Sequence, residues 1–189
     1  MAEELELKAV IPDPDLLRTR LLGAGAVARF RGRMSDRRYD RAGELAARDE
    51  VLRVRSFQAA EGPGSLVLGW KGPVTRTPEG YKRRTELELP LAAPDSGPTA
   101  GALLAALGYE VVHAIDREVE VLELAEATVR LEQYPDMDPL VEVEGVPRAI
   151  EQAIAVSGIA REAFTAESLT EFVRRFEART GRPARLAEP

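Results

Sequence analysis

Five short segments, far apart in the chain, alternate charged side chains with uncharged ones. Glu4-Leu5-Glu6-Leu7-Lys8 is the first, and Arg53-Val54-Arg55, Arg84-Thr85-Glu86-Leu87-Glu88, Arg130-Leu131-Glu132 and Glu142-Val143-Glu144 follow. Successive side chains of an extended strand point to opposite faces. Each segment therefore gathers Arg, Lys and Glu on one face and mostly apolar residues on the other. A single strand of this kind is most simply half-buried, with its charged face in water. Ordinary wet faces, however, carry Thr, Ser, Lys and Gln, whereas these carry Arg and Glu almost exclusively. If all the charged faces point into one closed barrel, its interior becomes a tunnel lined by both signs of charge.

Such a tunnel has a definite chemistry. Clustered carboxylates bind Mg²⁺ or Mn²⁺ through oxygen. Ringed Arg and Lys groups bind phosphate oxygens by charge-assisted hydrogen bonds. Together they describe a site for a metal–polyphosphate. The 189 residues suit one domain, and 44% hydrophobic with 31% charged residues is a globular composition. A net charge of −6 argues against a nucleic-acid partner. The absence of cysteine excludes disulfides and thiolate chemistry. The start, Met1-Ala2-Glu3-Glu4, lacks the basic and apolar regions of a signal peptide, and no apolar run is long enough to span a bilayer. The expectation is a cytoplasmic location with no membrane partner.

The pattern predicts strands at 3–11, 27–34, 51–58, 65–71, 81–91, 109–124, 126–134 and 140–144. Asp13-Pro14 caps a helix that Gly23 stops, a second helix covers about 99–107, and Pro147 opens a third that ends at Gly158. Ser168 and Glu171 have capping-box spacing before the stripe Leu169, Phe172, Val173, Phe176. Residues 35–50 read as loop, Glu61-Gly62-Pro63-Gly64 as a turn and 93–98 as a linker. The expected fold is α+β. It is a closed antiparallel barrel with flanking helices and a helical tail, in a single domain 1–189 with the barrel at about 3–145 and the tail at about 146–182.

The order of the charged motifs is itself informative. Glu4-x-Glu6-x-Lys8, Leu52-Arg53-Val54-Arg55, Trp70-Lys71-Gly72-Pro73, Arg84-x-Glu86-x-Glu88 and Val141-Glu142-Val143-Glu144-Gly145 occur in sequence. This set resembles the CYTH superfamily of class IV adenylate cyclases and thiamine triphosphatases, the triphosphate tunnel metalloenzymes. The segments 44–50 and 160–164 are most similar to the class IV cyclase branch. The resemblance covers roughly residues 3–180 and implies an eight-stranded barrel whose tunnel takes a triphosphate with Mg²⁺ or Mn²⁺. It implies that Glu4, Glu6, Glu142 and Glu144 are metal ligands, assisted by Glu86, Glu88 and Glu132. It gives Lys8, Arg53, Arg55, Lys71, Arg84, Arg117 and Arg130 to the phosphates, and makes Glu4, Glu6 and Lys8 the catalytic candidates.

Three positions depart from the family pattern. A late Lys-x-Arg pair is here Arg117-Glu118-Val119, an Asp is here Glu132, and the Tyr-Phe-Asp element is here Arg38-Tyr39-Asp40. Arg130, on the face of Glu132, is the expected candidate to replace the cation missing at Val119. The function expected is class IV cyclase-like conversion of ATP, or hydrolysis of tripolyphosphate, a nucleoside triphosphate or thiamine triphosphate. The alternative is a non-catalytic polyphosphate or nucleotide binder, and a homodimer is left open. His113, the only histidine, reads as structural, and Trp70 as barrel exterior. Arg29, Arg31, Arg33, Arg37, Arg38 and Arg41 read as a solvated strand edge, with an outer anion-guiding patch as the alternative. P-loop, GxGxxG and HExxH motifs are absent.

Overall fold

A computed structural model describes residues 2–60, 64–92 and 97–187. The strands are β1 (Ala2–Val10), β2 (Val27–Asp40), β3 (Val51–Ala59), β4 (Ser65–Lys71), β5 (Thr75–Arg76), β6 (Lys82–Leu91), β7 (Glu110–Leu124), β8 (Ala127–Gln133) and β9 (Leu140–Gly145). Among the described residues they form one antiparallel sheet in the order β1-β9-β8-β7-β2-β3-β4-β6, with β5 added on the edge of β6. A further pairing of β1 with β6, from Ala2 opposite Glu86 to Glu6 opposite Lys82, closes the eight long strands into a barrel. The fold is the expected one.

Among the described residues three helices cover the outside, and the start of a fourth reaches the barrel interior. They are α1 (Pro14–Gly23), α2 (Gly97–Ala106), α3 (Pro147–Ser157) and α4 (Leu169–Thr180). Asp13 caps α1 by accepting from the Leu16 backbone N–H, with Pro14 in the first turn. Leu17 and Leu21 of α1 and Ile150 and Ile154 of α3 pack on the outward residues Leu7, Val129, Val141 and Val143. Leu104 of α2 meets Tyr39, Val54 and Leu66. Ser168 and Glu171 form the expected capping box, and Phe172 and Phe176 of α4 pack on Met137 and Leu140. The largest hydrophobic cluster thus lies outside the barrel wall, while Met34, Ile115 and Val119 are buried apolar residues of the inward register and the rest of the inside is left to charge.

The expectation of a loop over 35–50 is corrected, because β2 continues to Asp40. The misreading has a physical cause. Asp36 and Arg38 point into the charged tunnel while Arg37 points out to Asp116, so both faces are polar and the apolar half of the alternation vanishes. The turn expected at 61–64 and the linker at 93–98 fall largely outside the described residues. Trp70 lies on the outer face and donates to Glu50 at 3.4 Å, and His113 is exposed.

One close approach in the wall is specific to glycine. A Cβ at Gly32 would lie 2.1 Å from the Gln58 carbonyl oxygen of the paired strand. Gly32→Ala is expected to cost about 1–3 kcal/mol as an overpacked site, measured from denaturation midpoints. Gly23→Ala, with nothing within 4 Å of its Cβ, serves as the unchanged control.

Candidate functional site

The register sets the charges of the tunnel side by side. Glu142 lies opposite Lys8 on one edge of β9 and Arg130 on the other. Glu6 lies opposite Glu144 and Lys82, Glu4 opposite Arg84, and Lys71 opposite Glu86. Cross-strand partners share a face, so most acids of the wall meet a base, while Glu6 faces Glu144 and Arg38 faces Arg53. Lys8 donates to Glu6 at 3.0 Å and pairs with Glu142, and Lys82 reaches Glu6 at 2.5 Å. Lys71 holds Glu4 at 3.1 Å and pairs with Glu86. Arg130 pairs with Glu142 and with Glu144 at 3.0 Å.

Glu4, Glu6, Glu142 and Glu144 each offer a carboxylate oxygen, and these oxygens lie within 4.8 Å of one another. Four carboxylates at that spacing repel and lose hydration. Burial and the charge of Glu144 raise the Glu4 pKa. Burial would raise Glu6 as well, but the ammonium groups of Lys82 and Lys71 outweigh it and hold Glu6 at about 2. Glu86, buried beside Glu4, is pushed up to about 7. An all-oxygen set of this kind suits a hard divalent cation.

The tunnel is polarised along its length. Its mouth, a cavity of about 730 Å³, is lined by Glu3, Glu4, Glu86, Glu88, Glu126 and Glu144 against Arg53, Arg55, Lys71 and Arg130. The inner cavity, about 90 Å³, presents nine bases and three acids among the described residues, and residues 168–170 at the start of α4 lie at its wall. The four bases of the mouth also line the inner cavity. The carboxylate quartet spans the junction, with Glu4 and Glu144 on the mouth side and Glu6 and Glu142 on the inner side.

The remaining site residues anticipated from the sequence divide into two groups. Arg53, Arg55, Lys71, Arg84, Arg117 and Arg130 all reach the inner cavity. Glu86 and Glu88 face the mouth, and Arg53 donates to Glu88 at 3.1 Å. Glu132 lies outside the carboxylate quartet. It accepts from Arg117 at 2.8 Å and from the Tyr134 hydroxyl at 2.5 Å. Arg117 also reaches Asp36 at 3.2 Å, and Arg55 grips Asp36 with two hydrogen bonds of 2.6 and 2.9 Å. Arg84 is held by the carbonyl of Gly72 at 2.5 Å and by Asp49. Val119 shares the inward register with Arg117 and is 2% exposed, opposite Gly32 and Glu132. Of the basic stretch, Arg29 pairs with Glu123, Arg33 and Arg37 with Asp116, and Arg41 with Glu44, all on the outside.

Sequence reading passed over Lys82, Asp36 and Tyr134, and its placing of Arg38 on a solvated strand edge is corrected, because Arg38 lines the inner cavity. Lys82 and Tyr134 each lie two residues from a recognised position, Arg84 and Glu132, so strand parity alone would have found them. Asp36 was lost with the segment read as loop, and Arg38 was grouped with outward-facing arginines because both faces of β2 are polar.

No family model matches the sequence, and no curated protein matches it. Solved structures do. A candidate adenylate cyclase from Vibrio parahaemolyticus superposes with a TM-score of 0.75 at 18% identity, over 90% of this chain and 97% of that one. A protein from Pyrococcus horikoshii gives 0.73 at 21% identity over 91% and 98%. The chain has their fold. A candidate adenylyl cyclase from Hippeastrum, described as having a dominant triphosphatase activity, matches over 100% of both chains with a TM-score of 0.64 and 17% identity. At the level of fold, these neighbours agree with the resemblance carried by the charged motifs.

Proposed function

We propose that the chain is a divalent-metal-dependent enzyme that hydrolyses a triphosphate held in the tunnel, whether tripolyphosphate, a nucleoside triphosphate such as ATP, or thiamine triphosphate. The observation that carries this reading is the carboxylate quartet at the junction of an acidic mouth and a strongly basic interior. A cation and a polyanion can be held there in contact. The triphosphatase activity described for the Hippeastrum protein of the same fold supports hydrolysis.

In this reading Glu4, Glu6, Glu142 and Glu144 hold Mg²⁺ or Mn²⁺, which supplies charge neutralisation and polarisation of the phosphate oxygens. Lys8, Arg53, Arg55, Lys71 and Arg130 bind the non-bridging oxygens and stabilise charge as it develops on the departing oxygen. A water oxygen bonds to the terminal phosphorus and releases its proton to solvent, the bridging P–O bond breaks, and the electron pair leaves on the oxygen of the diphosphate fragment. Glu86 and Glu88 keep Lys71 and Arg53 extended towards the chain.

Pure protein incubated with each triphosphate and Mg²⁺ or Mn²⁺ is expected to release orthophosphate. Cyclic AMP with pyrophosphate from ATP would replace hydrolysis by attack of the ribose 3′-hydroxyl on the α-phosphorus. Binding without turnover would make the chain a polyphosphate-binding protein.

A further inference from the structure

Two arginines face each other inside the barrel with no acid between them. Arg38 of β2 and Arg53 of β3 are direct cross-strand partners. Both line the inner cavity. Like charges in that position oppose strand pairing, and a carboxylate would normally separate them. The nearest inward acid, Asp36, is already committed to Arg55 and Arg117. Arg53 has one link to Glu88 at 3.1 Å and a longer one to Glu86 at 3.8 Å. Arg38 has none, because its guanidinium forms no ion pair or side-chain hydrogen bond among the described residues.

Each of the two guanidinium groups also keeps an Nε sealed from solvent with no hydrogen-bond partner. A buried donor without an acceptor is costly to keep, and such a group calls for a specific explanation. Both side chains respond in the same direction. Burial lowers the Arg38 pKa against the pull of Asp36, and burial with the charge of Arg55 lowers Arg53 to about 10, so both stay protonated near neutrality, Arg53 with its links to Glu88 and Glu86 and Arg38 with no ion pair of its own. Arg38 lines the inner cavity and not the mouth, so whatever it binds lies in the inner cavity.

We propose that Arg38 is a phosphate-binding residue that holds, together with Arg53 across the strand pair, the oxyanion of the phosphate lying in the inner cavity. This rests on the triphosphate reading of the tunnel and adds a residue to it. Arg38 stands where the family pattern has a tyrosine, and it supplies a cation on the inner wall where position 119 supplies none. Arg130 is less suited to that replacement, because it is tied to Glu142 and Glu144.

The test compares tripolyphosphate binding by calorimetry with the thermal midpoint of the unliganded protein. Arg38→Met keeps an unbranched stem out to the position of Nε and removes the guanidinium charge. It is expected to weaken tripolyphosphate about 10- to 100-fold, the usual loss for a charged hydrogen bond, while the unliganded variant melts at or above the wild-type temperature. Arg38→Lys, which keeps the charge but not the planar fork, is expected to lose at least about threefold and carries the test alone if Arg38→Met does not fold. Arg37→Ala, one residue away on the outer face, is expected to bind as wild type does. Wild-type binding that Arg38→Met or Arg38→Lys leaves unchanged would overturn the assignment of Arg38 alone. A fall in the unliganded melting temperature that accounts for the lost affinity would make Arg38 structural and overturn it too. Failure of wild-type protein to bind tripolyphosphate would remove the triphosphate reading, and this proposal with it.

Discussion

Asp36→Asn is expected to lower folding stability by about 3–5 kcal/mol, the usual cost of removing one partner from a buried ion pair. Asp36 is 0% exposed and is the shared anion for Arg55 and Arg117. An amide in its place keeps one acceptor but leaves two buried guanidinium groups without a counter-charge. At about 2–4 °C per kcal/mol for a chain of this size, the melting temperature should fall by on the order of 10 °C. The pH dependence provides a second reading of the same interaction. Burial alone would raise the Asp36 pKa, but Arg55 and Arg117 reverse it and hold it well below the carboxylate range. A depressed folded-state pKa means that the stabilisation is complete above the unfolded value, about 3.9. It is lost as the pH falls from there towards the folded value. Wild-type protein should therefore lose stability below about pH 4 more steeply than Asp36→Asn. Equal stability of the two proteins at pH 7 would show that the Arg55–Asp36–Arg117 cluster does not hold the barrel.

The second large effect concerns the metal. Glu4→Gln combined with Glu144→Gln is expected to abolish Mn²⁺ binding, read by calorimetric titration, and to leave the barrel folded. These two ligands are the partly exposed members of the quartet, whereas Glu6 and Glu142 are buried against lysine and arginine partners and are poorer choices for substitution. Burial first, and the neighbouring Glu144 second, raise the Glu4 pKa, so keeping Glu4 ionised costs the unliganded protein stability. The double variant should melt at or above the wild-type temperature without metal. Mn²⁺ should raise the melting temperature of wild-type protein only, because a ligand that binds the native state alone stabilises it. An unchanged Mn²⁺ affinity in the variant would place the ion elsewhere.

Much of this architecture was legible in the chain. The helix boundaries at Asp13, Gly158 and Ser168 were read from capping residues, because capping is local chemistry within one turn. The inward positions of Glu4, Glu6, Lys8, Arg53, Arg55, Glu142 and Glu144 were read from alternation, because the pleat fixes the side of each residue relative to its neighbours. The same rule failed for β2, where a charged interior face and a charged exterior face erase the contrast on which alternation depends.

The sequence by itself therefore determined which side chains share a face and that those faces carry both charges. The tertiary structure alone decided how the charges pair. Glu132, two residues from Arg130, bonds instead to Arg117 and Tyr134 and stands apart from the carboxylate quartet. Arg38 and Arg53 are left facing each other with two unsatisfied nitrogens. Such pairings depend on the register between strands that the chain separates by tens of residues. That register is set by barrel closure and by the packing of helices on the outer wall, and no local pattern within a strand contains it.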